Sequence, residues 1–232
     1  MIFLYMKIKG VSARAILDSR KEKTILVEIK TNVGVFSALA PTGKSTGKNA
    51  AKIYKKSLEE DISELKKLSD YFSGEDFVCF DCLKKIEEIV NRHVGANTLL
   101  ALEYAVLKAV AKEKKKQVWE LINPKVKKMP FLVGNCIGGG KHSNEIKKPD
   151  FQEFLVISKN WDELKRFKKK AEIILKEKDS GFIGKKNDEN AWVSSLNDRE
   201  VLDILREPKL KIGVDAAVSS FYKRKKYHYQ NP

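Results

Sequence analysis

The sequence predicts an α+β unit followed by a unit in which strands and helices alternate. Three observations carry this reading: a strand-like run over residues 8–40, a change to helical period from residue 48, and short apolar strands alternating with helices beyond residue 130. The chain has 232 residues, 42% apolar and 33% charged. That is enough apolar material to bury a core, which rules out disorder throughout.

Within the first run, Ile25, Val27 and Ile29 alternate with Glu28 and Lys30, and a turn at residues 32–34 precedes Val35 and Phe36, which together read as an antiparallel meander. Residues 41–47 (PTGKSTG) break the pattern with a loop rich in hydroxyls and glycine. Ser57 and Glu60 form a capping-box pattern ahead of Ile62, Leu65 and Leu68. The run over 97–112 is apolar almost all round, which predicts a buried helix. A basic connector bracketed by prolines, PKVKKMP at 124–130, places a domain boundary between residues 1–128 and 129–232. Beyond it, strands are expected at 131–137 and 154–157, then a helix capped by Asn160 and Glu163 with Trp161, Leu164, Phe167, Ile174 and Leu175 on one side. A further helix around 199–206 leads to an apolar strand, 210–214, that ends on Asp215. Strand ends of this kind are where α/β folds present catalytic groups.

Lys plus Arg number 46 against 31 Asp plus Glu, a formal charge of +15, which points to nucleic acid, an anionic membrane surface or small anionic substrates as partners. Three cysteines make no disulfide framework and fit a reducing compartment, so a cytoplasmic protein is expected. Lys7 and Lys9 cut the apolar start short of a signal-peptide core, and no stretch approaches the ~20 apolar residues of a membrane span.

Several motifs bear on chemistry. Residues 38–45 (ALAPTGKS) nearly match the phosphate-loop pattern, but Ala38 stands where its first glycine is needed and the meander upstream is the wrong context, so a flexible loop that contributes a hydroxyl is the better reading. Cys79 and Cys82 form a C-x-x-C; with Phe77, Val78 and Phe80 around them they read as a buried pair of small apolar side chains rather than a redox or zinc site. Residues 138–142 (GGGKH) follow an apolar strand, a turn that brings backbone and an imidazole close to an anionic ligand. Glu153, Glu189 and Asp215 lie at loop or strand-end positions of one α/β unit, a set suited to a divalent-metal or acid/base site. The tail at 222–229 (YKRKKYHY) interleaves bases with aromatics, as single-strand nucleic-acid binders do.

Taken in order, these segments resemble the enolase family. The stretch 13–20 (ARAILDSR) is similar to the family's N-terminal signature, and 40–47 (APTGKSTG) to its mobile loop. The stretch 95–98 (GANT) is similar to the start of its buried helix, 138–142 with 152–154 to the opening of its barrel, and 213–222 (GVDAAVSSFY) to its first metal-ligand strand. The resemblance implies an α+β capping domain followed by the first part of a TIM-like barrel whose first strands run antiparallel. It also implies the family's reaction, Mg2+-dependent dehydration of 2-phospho-D-glycerate to phosphoenolpyruvate.

Carried over position by position, Glu189 would be the acid, Glu153 its partner and a substrate contact, and His142 would approach the phosphate side. Asp215 would hold the tightly bound Mg2+ and Ser45 a second ion on loop closure. The family's lysine base and remaining metal ligands match nothing here, and about the first three of the eight barrel strands are present. The chain alone is therefore expected to be inactive, with a second polypeptide carrying the rest of the barrel, or a homodimer, as partner. The chain departs from the family at several places: NDENA at 187–191 stands for Gly-Asp-Glu-Gly-Gly, Lys21–Glu22–Lys23 for Gly-Asn-Pro, Ala50 and Ser220 for glutamates, and the stretch between His142 and Glu153 carries extra residues, including Lys147, Lys148 and Pro149. The altered NDENA loop favours the alternative of a non-catalytic enolase-like protein that binds through its basic surface, with RNA the candidate ligand; the retained Ser45, His142, Glu153, Glu189 and Asp215 weigh against it.

Overall fold

A computed structural model describes residues 5–43, 47–90, 92–206 and 211–232. Ser45 and the rest of 44–46 lie outside the described residues, as does Leu210. Two compact units separate, one holding the chain up to Gly43 together with Ala50–Lys127, the other holding Lys128–Pro232 with a short piece of the 44–49 loop.

The first unit is a meander covered by helices. Strands β1 (Met6–Leu17), β2 (Lys23–Thr31) and β3 (Gly34–Ala40) pair antiparallel in sequence order, and the short β4 (Asp76–Phe77) adds to the free side of β1. Side chains alternate across a strand. Accordingly Ile25, Val27 and Ile29 on β2 are fully buried while Lys30 is exposed. Helix α1 (Leu58–Leu68) starts at Ser57, whose hydroxyl accepts from the Glu60 N–H at 3.1 Å. The Glu60 carboxylate turns instead to Lys56 Nζ at 2.6 Å.

A short 3-10 turn over Phe80–Cys82 leads into helix α2 (Leu83–Val90). Helix α3 (Ala96–Glu113) is the buried helix expected from its apolar run. Ala101, Ala105 and Ala109 recur at i, i+4 and i+8 and are fully buried, so the helix backbone can sit close to its neighbours, while Leu102, Val106 and Val110 fill the core beside them. The short α4 (Val118–Ile122) follows.

The opening of α3 is tied down by Asp61, a buried residue of α1. Its carboxylate accepts from the Gly95 N–H at 2.7 Å, the Thr98 hydroxyl at 2.6 Å and the Lys55 N–H at 3.0 Å. Ala96 and Asn97 N–H groups donate to the carbonyls of Lys52 and Ile53. A Cβ on Gly95 would collide with the backbone of Ile53 and Tyr54, so only glycine fits there. The GANT segment is thus a docking point between chain segments.

The second unit carries a four-stranded sheet in the order β7-β5-β6-β8, from β5 (Leu132–Gly138), β6 (Glu153–Ser158), β7 (Trp192–Val193) and β8 (Lys211–Asp215). β5 pairs antiparallel with β6 and parallel with β7, and β6 pairs antiparallel with β8. Helices α5 (Trp161–Lys178) and α6 (Asp198–Arg206) contribute Leu164, Phe167, Leu175, Val201 and Leu205 to a separate core around Ile137, Phe154 and Val156. Asn160 caps α5 by accepting from the Glu163 N–H at 2.9 Å. Trp161, expected on the buried side, is 64% exposed because its place in the first turn lies beyond the edge of the sheet-facing stripe. The tail forms a tight hairpin, β9 (Tyr222–Lys223) and β10 (Lys226–Tyr227).

Candidate functional site

The site in the second unit begins with its glycines. A Cβ at Gly139 would meet the carbonyls of Pro149 and Phe151, and Gly140 takes φ +46 in the left-handed region that favours glycine. With those two positions free of side chains, 138–142 folds onto 149–152: Gly139 N–H donates to Gln152 O at 3.0 Å, Gly140 N–H to Pro149 O at 2.9 Å and His142 N–H to Gly139 O at 2.9 Å. The turn buries His142 and fixes its ring.

Around that ring stand three carboxylates. Nδ1 faces Asp188 at 3.1 Å, while Nε2 faces Glu153 at 3.4 Å and Glu189 at 3.8 Å. Glu153 opens β6 directly opposite Gly138 on β5 and Asp215 on β8. Residues directly opposite on paired strands share a face, so Glu153 and Asp215 point to the same side of the sheet. Burial pushes the Glu153 carboxyl above the ordinary range, and the charge of Glu189 and a hydrogen bond with it push the same way; His142 opposes this, and Asp215 adds a smaller upward push. Two carboxyls in contact retain a proton between them more readily than either alone, the condition for an acid that works near neutral pH.

The loop that presents Glu189 is built by Asn187. Its side-chain oxygen accepts from the N–H groups of Glu189 at 3.0 Å and Ala191 at 2.9 Å, and its own N–H donates to Ala191 O at 2.9 Å. Asn190 sits at φ 61. Asparagine tolerates that left-handed conformation better than most residues with a Cβ, so NDENA closes the turn without glycine. Glu189 is also held from β5, where Asn135 Nδ2 donates to its Oε2 at 3.0 Å.

Asp215 is exposed at the end of β8, with its Oδ1 accepting from the Ala217 N–H at 3.0 Å. Ala217 lies at φ 44, a strained conformation for alanine beside the candidate metal position. Among the described residues, His142, Glu153 and Glu189 form the group whose ligand atoms all lie within 4.8 Å of one another; Asp215 does not join it.

The loop that carries Ser45 is anchored in the first unit at its near end. The Ala40 carbonyl accepts from Thr24 Oγ1 at 2.6 Å and Asn97 Nδ2 at 3.0 Å, and the Arg20 guanidinium reaches the Thr42 carbonyl. Arg20 itself extends from a turn closed by Asp18, which accepts the N–H groups of Arg20 and Glu22, with Lys21 at φ 63.

Sequence reasoning missed Asn135 and Asp188. A lone amide in the apolar strand LVGNCIG was the available signal for Asn135, and adjacency to Glu189 for Asp188. The C-x-x-C expectation is overturned: Cys79 is exposed and Cys82 half-buried, because the Phe80–Cys82 turn lies on the surface before α2 rather than under it. Cys136, on β5, is the buried cysteine, and burial pushes its thiol up to about 12.

No sequence-family model matches the chain. Curated relatives do. The chain is 32% identical to the enolase of Methanothermobacter thermautotrophicus over 85% of its own length and 51% of that protein's. It is 31% identical to the enolase of Methanosphaera stadtmanae over 96% of this chain and 59% of that one, and 28% identical to the enolase of Archaeoglobus fulgidus over 97% and 61%. The chain is enolase-like. It spans half to three-fifths of the length of these curated relatives. Among the described residues, no helix of this enolase-like chain is long and apolar enough to cross a membrane.

Proposed function

We propose that this chain supplies the acid and phosphate side of an enolase-type site, dehydrating 2-phospho-D-glycerate to phosphoenolpyruvate once a second polypeptide supplies the rest of the barrel. The first unit is then the capping domain, and the second the opening of a TIM-like barrel whose strands start antiparallel. The observation that carries the reading is the meeting of Glu153 and Glu189 beside a buried His142, with Asp215 on the same sheet face. Loss of hydroxide needs a proton donor, and the Glu153–Glu189 pair can keep one available; Glu189 delivers it while Glu153 and Asn135 hold it in place. His142, fixed by its turn and by Asp188, presents its ring to the phosphate side of the substrate.

The donor chemistry fits Mg2+, a hard ion that prefers oxygen: the Asp215 carboxylate would hold the tightly bound ion and the Ser45 hydroxyl a second one, with about five further positions at each left to substrate, water and the partner. When bound, Mg2+ neutralises the negative charge that builds on the substrate's carboxylate side. We read the protein as cytoplasmic, since three cysteines that make no disulfide framework suit a reducing compartment. It is tested by purifying the native assembly through this chain and assaying phosphoenolpyruvate formation with Mg2+. A second polypeptide bearing the missing acids and a lysine base, together with turnover, supports it; a homodimer that turns over keeps the reaction and corrects the partner; no turnover in any assembly refutes it.

A second reading rests on the β9–β10 hairpin, which exposes Tyr222, Tyr227 and Tyr229 beside a turn at Arg224 and Lys225. Exposed rings with interleaved bases suit single-stranded RNA. Filter binding across a salt series would give a steep loss of affinity if the hairpin serves this role, and a flat, weak response if it does not.

A further inference from the structure

The Cys79–Cys82 pair lies in the first unit, far in sequence from the acids and His142, and the proposed reaction makes no use of it. Its two sulfurs lie 2.8 Å apart, about 0.8 Å beyond a covalent S–S bond, on an exposed 3-10 turn. The half-buried member, Cys82, immediately precedes helix α2. Lys85 stands one turn into the helix with its ammonium on Glu75 at 2.7 Å. The two residues between the cysteines, Phe80 and Asp81, form part of the wall of a groove of about 390 Å³ that runs on to Leu100, Tyr104 and Ile122. Among the described residues, no histidine or acid completes a metal-ligand group with the two sulfurs. A zinc site, which needs about four ligands, is therefore not what the turn offers.

We propose that Cys79 and Cys82 are a redox-active dithiol that interconverts with an intrachain disulfide by exchange with low-molecular-weight disulfides. Cys82, as thiolate, attacks one sulfur of the external disulfide and expels one thiolate, forming a mixed disulfide. Cys79 then gives its proton to solvent and attacks the Cys82 sulfur, expelling the second thiolate and closing the Cys79–Cys82 bond. Two protein thiols are oxidised, and one external disulfide is reduced to two thiols. The division of roles follows the environment. Desolvation raises the Cys82 thiol, but hydrogen bonding from Cys79 and the Val78 and Cys79 N–H groups outweighs it and the thiol is lowered; hydrogen bonding to Cys82 and burial raise that of Cys79. Closure pulls the turn tighter and shifts Phe80 and Asp81, so the redox state is felt at the groove wall.

The test equilibrates the full chain over a series of reduced to oxidised glutathione ratios, quenches with acid, alkylates after denaturation and reads intact mass. The expected result is the loss of two alkylatable thiols of the three in the chain in one two-electron transition, with Cys136 alkylated throughout. Cys79→Ser should accumulate the glutathione mixed disulfide at Cys82 faster than Cys82→Ser forms its counterpart at Cys79, because Cys82 keeps its place at the start of α2 in the first variant. Wild-type protein that shows only mixed disulfides, or keeps three free thiols at every ratio, overturns the dithiol couple. Equal or reversed rates in the two variants overturn the assignment of Cys82 as the attacking sulfur.

Discussion

Replacing Asp61 with alanine should disconnect α1 from the start of α3, and the structure sets the size of the effect. The carboxylate satisfies three donors, of which the Gly95 N–H and the Thr98 hydroxyl are fully buried and the Lys55 N–H is partly so. A buried donor left without a partner costs about 1–3 kcal/mol, so two of them give about 2–6 kcal/mol, and about 4 kcal/mol is the expected loss for Asp61→Ala. Asp61→Asn keeps one acceptor oxygen and should lose about half as much. Thr98→Val removes a single donor and leaves the carboxylate its other two, for about 1–2 kcal/mol. Because the residues are in contact, the double variant Asp61→Ala/Thr98→Val should fall short of the sum by about 1 kcal/mol or more. Urea unfolding, read through amide exchange of α3 so that the first unit is followed by itself, measures all four. A loss below about 1 kcal/mol for Asp61→Ala, or strict additivity in the double variant, would refute the view that this carboxylate organises the GANT segment.

Asp179, at the end of α5, accepts from the Ser194 hydroxyl at 2.8 Å, the Ser195 N–H at 2.9 Å, the Gly181 N–H at 3.0 Å and the Ser195 hydroxyl. Burial raises its carboxyl, but these hydrogen bonds outweigh it and hold the group below the usual range. The folded state therefore gains stability from Asp179 above the unfolded pKa of about 3.9 and loses it as pH falls through the folded value. Asp179→Asn should accordingly be less stable than wild type at pH 7 and converge towards it in acid; a gap that does not change with pH contradicts the assignment. Lys21 sits at φ 63 in the turn that carries Arg20. A left-handed residue with a Cβ costs about 1–2 kcal/mol and glycine's extra freedom returns about 0.5–1, so Lys21→Gly should stabilise by up to about 1 kcal/mol, and a drop in thermal midpoint would count against it. Gly139→Ala should displace His142, because its methyl group would strike the carbonyls of Pro149 and Phe151; an unchanged His142 ring environment by NMR would show that the turn adapts.

Much of the fold could be read from pattern alone, since the alternation in β2, the apolar run of α3 and the Asn160 cap are local signals set by local geometry. The site was legible in its residue types but less so in its connections. Nothing in the spacing of 135, 142, 153 and 189 says that an amide on β5 holds one acid or that Asp188 orients the imidazole, because those contacts depend on a bulge between Asn135 and Ile137 and on the Asn187 turn. Lysine at 21 and asparagine at 190 stand where the resemblance would put glycine. The backbone there takes left-handed angles all the same, on lysine and asparagine, so the acid loop closes despite the side chains. At Cys79 and Cys82 the apolar neighbours suggested burial, yet Phe80 and Cys79 are exposed and Cys82 is half-buried against the core, because that turn is a surface bend.

Under the proposed function, Glu189 is the proton donor of an enolase-type dehydration. It is tested most directly by measuring phosphoenolpyruvate formation from 2-phospho-D-glycerate in the native assembly, with wild-type chain and with Glu189→Gln. The amide is close to the carboxyl in size but cannot donate the proton, so turnover should fall about 100-fold or more with the assembly intact. Equal turnover in the two assemblies would contradict it.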